Sequence, residues 1–141
     1  MAEVAVVIGI IGVLATLATP LFLTYYQASR LRVAAEEIAA FLNQGRQLGI
    51  RENAGVCVHI TTTAMHYHLG GCAGPTWIGP GTDSAGNVKA PEGITLATTA
   101  DPVFNYLGAA TPGATYTVTN TQDNHTLRVS VAASGRISIG P

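Results

Sequence analysis

The chain has 141 residues, room for one globular domain of ordinary size plus a helical arm and not for two cores. Its net charge is −1, and its seven basic residues (Arg30, Arg32, Arg46, Arg51, Lys89, Arg128 and Arg136) are scattered, which excludes a nucleic-acid-binding stripe built on bulk electrostatics. Hydrophobic residues make up 48% against 11% charged, but they are spread unevenly, and the N-terminal segment sets the class.

Residues 4–23 carry no charged side chain at all. At a rise of about 1.5 Å per residue they give a helix of roughly 30 Å, the hydrocarbon thickness of a bilayer. The only charge ahead of the run is an acid, Glu3, whereas a secretory signal begins with positive charge. For a plain signal anchor, Arg30 and Arg32 behind the span would place the rest of the chain in the cytoplasm, where a disulfide does not persist. A basic leader ahead of Met1, removed once it had set the orientation, reconciles the two, so a processed chain is expected. An ionised Glu3 at the edge of hydrocarbon costs about 2.5–3.5 kcal/mol unless it is paired. A free N-terminal amine, its own or a neighbouring copy's, is the nearest partner; a place among the lipid headgroups is the alternative. Gly9, Gly12, Thr16, Thr19 and Pro20 put weak helix formers and a breaker into the same run, so the stretch from Gly12 to Pro20 can kink or unwind. The small residues also allow close helix approach.

The segment Glu3-Val4-Ala5-Val6-Val7-Ile8-Gly9-Ile10-Ile11-Gly12-Val13-Leu14-Ala15, followed by Pro20, resembles the N-terminal signature of type IV pilins and type II secretion pseudopilins. The resemblance implies a prepilin peptidase that cuts a short basic leader and methylates the new N-terminus. It also implies that Glu3 pairs with the amine of an adjacent subunit, with Met1, Gly12 and Pro20 in the same assembly element and Pro20 as its helix-bending proline. Glu3 and Pro20 both come two residues sooner than the family places them, with their spacing kept. Either two mature residues precede Met1 or Met1 is itself the methylated end.

After Pro20, Leu31, Ala34, Ile38, Phe41, Gly45 and Leu48 alternate steps of three and four, the stripe of an amphipathic helix running to about residue 52. Arg30, Arg32, Glu36, Glu37 and Arg46 are expected on or near its solvated side. Asn53-Ala54-Gly55 ends it, and residues 56–60 and 65–69 alternate as paired strands around a turn at 61–64. Cys57 and Cys72 lie near opposite ends of that hairpin. In an oxidising compartment a disulfide between them would contribute about 3 kcal/mol in the chain-entropy view; two reduced, buried thiols are the alternative. His59, His66 and His68, with Cys57 nearby, make a transition-metal donor set. Because His66 and His68 alternate with Met65 and Tyr67 as polar outer-face residues do, and a disulfide would remove Cys57, no metal site is expected. Gly70-Gly71, Gly74-Pro75, Gly79-Pro80-Gly81 and Ser84-Ala85-Gly86-Asn87 punctuate a loop around Trp77 that is expected to be exposed and variable.

Further strands are expected at 94–98, 103–106, 115–119, 127–131 and 136–139, separated by Pro-Gly, Asp-Asn and Ser-Gly turns. Asn124-His125-Thr126 fits a glycosylation sequon, though a short polar turn is the plainer reading. The fold class is α+β: an apolar helix over 1–24, an amphipathic helix over 25–53 packed on the head, and an antiparallel β-rich head, sheet or sandwich-like, over 54–141. No nucleophile elbow, phosphate-binding loop or paired carboxylates appear, so neither catalysis nor a cofactor is expected.

Phe104-Asn105-Tyr106-Leu107-Gly108, Thr115-Tyr116-Thr117-Val118-Thr119, Leu127-Arg128-Val129-Ser130-Val131 and Gly135-Arg136-Ile137-Ser138-Ile139 resemble the end of the head domain of minor pilins and pseudopilins. Some minor pilins with such heads capture DNA through basic residues near the C-terminus, which makes Arg128 and Arg136 candidates; ordinary surface or turn-anchoring arginines are the plainer reading, and nucleic acid is discounted as a partner. The expected function is a structural subunit of a type IV pilus-like extracellular filament. The alternative is a minor subunit priming or tipping a pilus or pseudopilus. The expected partners are further copies, the prepilin peptidase and the assembly machinery. The expected location is the inner membrane first and the cell-surface filament afterwards.

Overall fold

A computed structural model describes residues 2–141; Met1 lies outside it, as do the side chains of Leu17, Ala18, Thr19, Pro20 and Leu21. One helix, α1, runs Ala2–Glu52. The chain divides into two units, residues 1–30 and 31–141. In the first, the backbone is helical from residue 2 to residue 30, so the helix does not unwind between Gly12 and Pro20. Pro20 cannot donate to the Thr16 carbonyl, while the Thr16 hydroxyl donates to the Val13 carbonyl at 2.8 Å. This keeps the side chain's polar group satisfied within an apolar run.

In the second unit the predicted stripe is the buried one: Leu31, Ala34, Ile38, Phe41 and Leu48 are all inside, joined by Ala35 and Leu42 on the same face. Gly45 completes the stripe for a steric reason. A Cβ there would stand 2.7 Å from Val58 Cγ2 and 3.0 Å from the Tyr67 ring, so a bare backbone lets the helix lie close on the sheet. α1 stops where the sequence indicates. Asn53 takes a left-handed conformation (φ 49°), and Ala54 N–H donates to the Gly49 carbonyl at 3.2 Å, the long-range bond of a Schellman end.

The head consists of two antiparallel sheets. The first contains β1 (Val56–Ile60), β2 (Ala64–Leu69), β3 (Val88–Lys89), β5 (Val103–Phe104) and β6 (Ala110–Thr111) in the order β3-β2-β1-β5-β6. The second contains β4 (Ile94–Thr98), β7 (Ala114–Asn120), β8 (Thr126–Val131) and β9 (Ile137–Gly140) in the order β4-β7-β8-β9. Alternation decides the faces: along β7, Ala114, Tyr116, Val118 and Asn120 are buried and the residues between them are not. Val56, Val58, Met65, Tyr67, Phe104, Leu96, Val129 and Val131 join the α1 stripe in one hydrophobic cluster.

The loop around Trp77 is exposed over most of its length, as expected, but it is also tied to the sheet: Leu69 N–H donates to the Pro75 carbonyl at 3.0 Å and Trp77 N–H to the Tyr67 carbonyl at 2.8 Å. These bonds use backbone groups of β2 that would otherwise be an open edge, and they bring Trp77 edge-on to Tyr67, centroids 5.8 Å apart. Arg46 is half-buried, and its Nε is enclosed with no hydrogen-bond partner. The turn at Gly108 lies over its stem, where a Cβ would come within 2.7 Å of Nε. Residues 105 and 106 leave the predicted strand, because Asn105 turns the chain by accepting from Leu107 and Ala109 N–H at 2.9 and 3.0 Å.

Candidate functional site

The predicted assembly residues belong to the first unit. Glu3 lies in the first turn of α1, where an acid suits the positive end of the helix dipole. Met1, its proposed partner in chemistry, lies outside the described residues, and so does the Pro20 side chain. Gly12 has nothing within 4 Å of the place a Cβ would take, so that face of the helix is open. Val4, Val6, Val7, Ile8, Ile10, Ile11, Val13 and Leu14 are between 54 and 64% exposed, a continuous apolar surface without cover from this chain. Among the described residues no helix is long and apolar enough to cross a membrane; the side chains of residues 17–21, toward the C-terminal end of the uncharged run, are not among them.

The run ends in an aromatic and basic ladder. Phe22 and Tyr26 stack with centroids 6.4 Å apart, and the Arg30 guanidinium lies 5.8 Å from the Tyr26 centroid. Steps of four along a helix place all three on one side. Aromatic rings followed by a long basic chain are the side chains that suit a boundary between hydrocarbon and water.

On the head, Cys57 and Cys72 form the disulfide, Cα atoms 4.9 Å apart across 15 residues. It joins the start of β1 to the Gly-rich segment beyond β2, so the two ends of the hairpin meet. For a loop of this length the link is worth about 3 kcal/mol. The Cys57→Ala/Cys72→Ala variant is therefore expected to unfold roughly 10 °C lower in thermal melts followed by circular dichroism.

His59, His66 and His68 do converge on the outer face of the first sheet, with ring centroids 4.9, 5.1 and 6.3 Å apart. His59 Nδ1 lies 2.7 Å from Asp101 Oδ2, a partner 42 residues away that spacing alone does not reveal. His66 is held below the ordinary imidazole pKa, first by burial and then by its two histidine neighbours. Arg128 and Arg136 are both exposed, yet they do not form one patch. Arg128 pairs with Gly140 at one end of β8–β9, whereas Arg136 precedes Ile137 at the other. Asn124 sits in a turn with φ 57°, its N–H donating to the Asn120 carbonyl at 2.9 Å, as the plainer reading of the sequon expects. A cleft of about 440 Å³ lies between Gln44, Gln47, Leu48 and Arg51 of α1 and Trp77 and Pro80 of the docked loop.

No protein-family model matches the sequence, and no significant match is found among curated proteins. Solved structures do match the fold. The crystal structure of the type IV minor pilin FimU of Pseudomonas aeruginosa PAO1 superposes with a TM-score of 0.60 at 15% identity, covering 83% of this chain and 92% of that one. The minor pseudopilin EpsH of the type 2 secretion system of Vibrio cholerae gives 0.60 at 13% identity, over 78% of this chain and 95% of that one. The chain has a pilin-like α+β fold: a long N-terminal helix and an antiparallel β head.

Proposed function

We propose that this chain is a non-enzymatic structural subunit of a type IV pilus-like or pseudopilus filament, joined to its neighbours through its N-terminal helix. The observation that carries the reading is the apolar surface from Val4 to Leu14, more than half exposed along a helix that nothing in its own chain covers. Burying each such side chain is worth about 1.5–3 kcal/mol relative to water, so the surface requires lipid or other helices. Lipid comes first: the uncharged run of residues 4–23 sits in the inner membrane, with Phe22, Tyr26 and Arg30 at its edge. Packed helices of sister subunits replace lipid on assembly. Since hydrocarbon tails are as apolar as Val or Ile, this exchange gains little by itself. The pairing of Glu3 with a neighbour's amine, close helix contact at Gly12 and contacts between heads then decide whether a subunit joins. A prepilin peptidase and the pilus assembly machinery are the partners this life history calls for.

The likeness of the head to FimU and EpsH, both minor subunits, favours a low-abundance place in the filament. Quantitative mass spectrometry of sheared filaments, with electron microscopy of the same preparation, tests it. The expected result is a chain present in filaments well below the commonest subunit. A chain that dominates the filament by mass would overturn the minor role while leaving the filament role intact; a chain absent from filaments would overturn both. DNA capture by Arg128 and Arg136 has no observation in its favour beyond their exposure.

A further inference from the structure

The outer face of the first sheet gathers three of the four histidines of the chain. Strand geometry is the cause. His66 and His68 are two residues apart in β2 and share a face, and His59 on β1 stands directly opposite His66 in the register. Val58 N–H donates to the Pro102 carbonyl at 3.0 Å, which sets Asp101 beside His59 at the end of the same row.

The hydrogen bonds of these rings determine which nitrogens are free. His68 Nδ1 lies 3.0 Å from the Gly74 carbonyl, and a carbonyl only accepts, so Nδ1 carries the proton and Nε2 keeps its lone pair. The Asp101 carboxylate likewise draws the proton of His59 to Nδ1, leaving that Nε2 bare. His66 Nδ1 is buried with no partner. Imidazoles that bind metal are held in this way, one nitrogen on the ion and the other donating to a carboxylate or a backbone carbonyl.

We propose that His59, His66 and His68 form a zinc(II) site on the outer face of the head, with Asp101 and the Gly74 carbonyl orienting two of the three imidazoles. Three neutral imidazoles on one tetrahedral ion leave a fourth position for water. Cys57 takes no part, being committed to its disulfide. Among the described residues, as they stand, no group of three or more His, Cys, Asp or Glu could hold a metal ion, these histidines included. Ring rotation closes the site on the ion, while the strand register keeps the three Cβ atoms in place; His66 exchanges its hydrogen bond to the Asn87 side chain for the ion. The bound ion would tie β1 to β2 close to the disulfide, reinforcing the same hairpin.

Calorimetric titration of the untagged full-length chain in detergent with Zn²⁺ alone tests the site, and Co²⁺ serves as a spectroscopic probe. One ion per chain, a higher melting temperature and the visible bands of tetrahedral Co²⁺ are expected. His59→Gln, His66→Gln and His68→Gln should each weaken binding by at least about tenfold, and Asp101→Asn, which removes only an orienting partner, by about 10–100-fold. His125→Gln should change nothing. Wild-type affinity in His59→Gln would reduce the site to a two-histidine chelate on β2 and overturn the proposal. No heat and no stabilisation at millimolar Zn²⁺, or an octahedral Co²⁺ spectrum in the wild-type chain, would overturn it without recourse to any variant.

Discussion

Glu3→Ala should leave the protein inserted in the membrane but cut its incorporation into filaments by about a hundredfold. The substitution makes the run more apolar, so insertion is not weakened. Assembly is different. In the filament reading, the carboxylate of one subunit meets the amine of another inside a packed apolar core, where an unpaired charge costs about 2.5–3.5 kcal/mol. Removing the acid leaves the amine to bear that cost at each interface, and each 1.4 kcal/mol is about a factor of ten in the equilibrium for adding one subunit. Membrane fractionation and immunoblotting of sheared filaments measure the two quantities separately. Normal filament incorporation of Glu3→Ala would show that Glu3 has no pairing role. Loss from the membrane as well would show that the variant fails earlier than assembly.

The largest stability effect is expected at Tyr67→Ala. Tyr67 is fully buried, stacks on Phe41 with centroids 4.2 Å apart, and meets Trp77 edge-on. Its hydroxyl donates to the Phe41 carbonyl at 2.8 Å, inside the helix that covers the sheet. Burial raises the pKa of the phenol well above its ordinary value, so it stays a neutral donor. The ring thus touches α1 at Phe41 and close to Gly45, and the docked loop at Trp77, while its own strand pairs with Val58 of β1. Deleting it removes the transfer energy of an aromatic side chain and leaves a cavity, together about 3–5 kcal/mol. A melting temperature lower by roughly 12 °C or more should follow. Tyr67→Phe, which loses only the hydroxyl and its contacts with the Phe41 carbonyl and Gln44 Oε1, should cost about 1 kcal/mol. Trp77 is the single tryptophan, so its emission reports on the loop directly. A red shift in folded Tyr67→Ala is expected because the edge-on partner has gone. A melt and a spectrum both unchanged from wild type would count against Tyr67 as the residue joining helix, sheet and loop.

The zinc proposal and the filament proposal rest on different residues. The first rests on the outer face of the head, the second on the N-terminal unit. Failure of metal binding would therefore leave the assembly argument unchanged, and a head that binds zinc says nothing by itself about filaments.

Several elements were legible in the chain because they depend on local periodicity. The uncharged run of 4–23, the stripe from Leu31 to Leu48, the stop at Asn53 and the strands β1, β4, β7 and β8 each follow from a repeat of 3.6 or 2, or from one turn residue. Such patterns are carried by neighbours in sequence. Tertiary structure decided what depends on residues far apart. β3 and β6 are two-residue strands, too short to show alternation, and exist because neighbouring strands offer them free backbone groups. The loop at Trp77 reads as exposed because its glycines and prolines signal turns, and most of it is; those signals do not reveal that its backbone finishes the hydrogen bonding of β2. Arg46 follows the charged pattern of an outer face, yet the Gly108 turn, some sixty residues later, closes over its Nε and leaves the residue half-buried. The three histidines were visible as donors, but their register across β1 and β2, and the arrival of Asp101 beside His59, required the folded sheet. Which nitrogen of each ring keeps its lone pair is set by those distant partners, and so is the chemistry the face can perform.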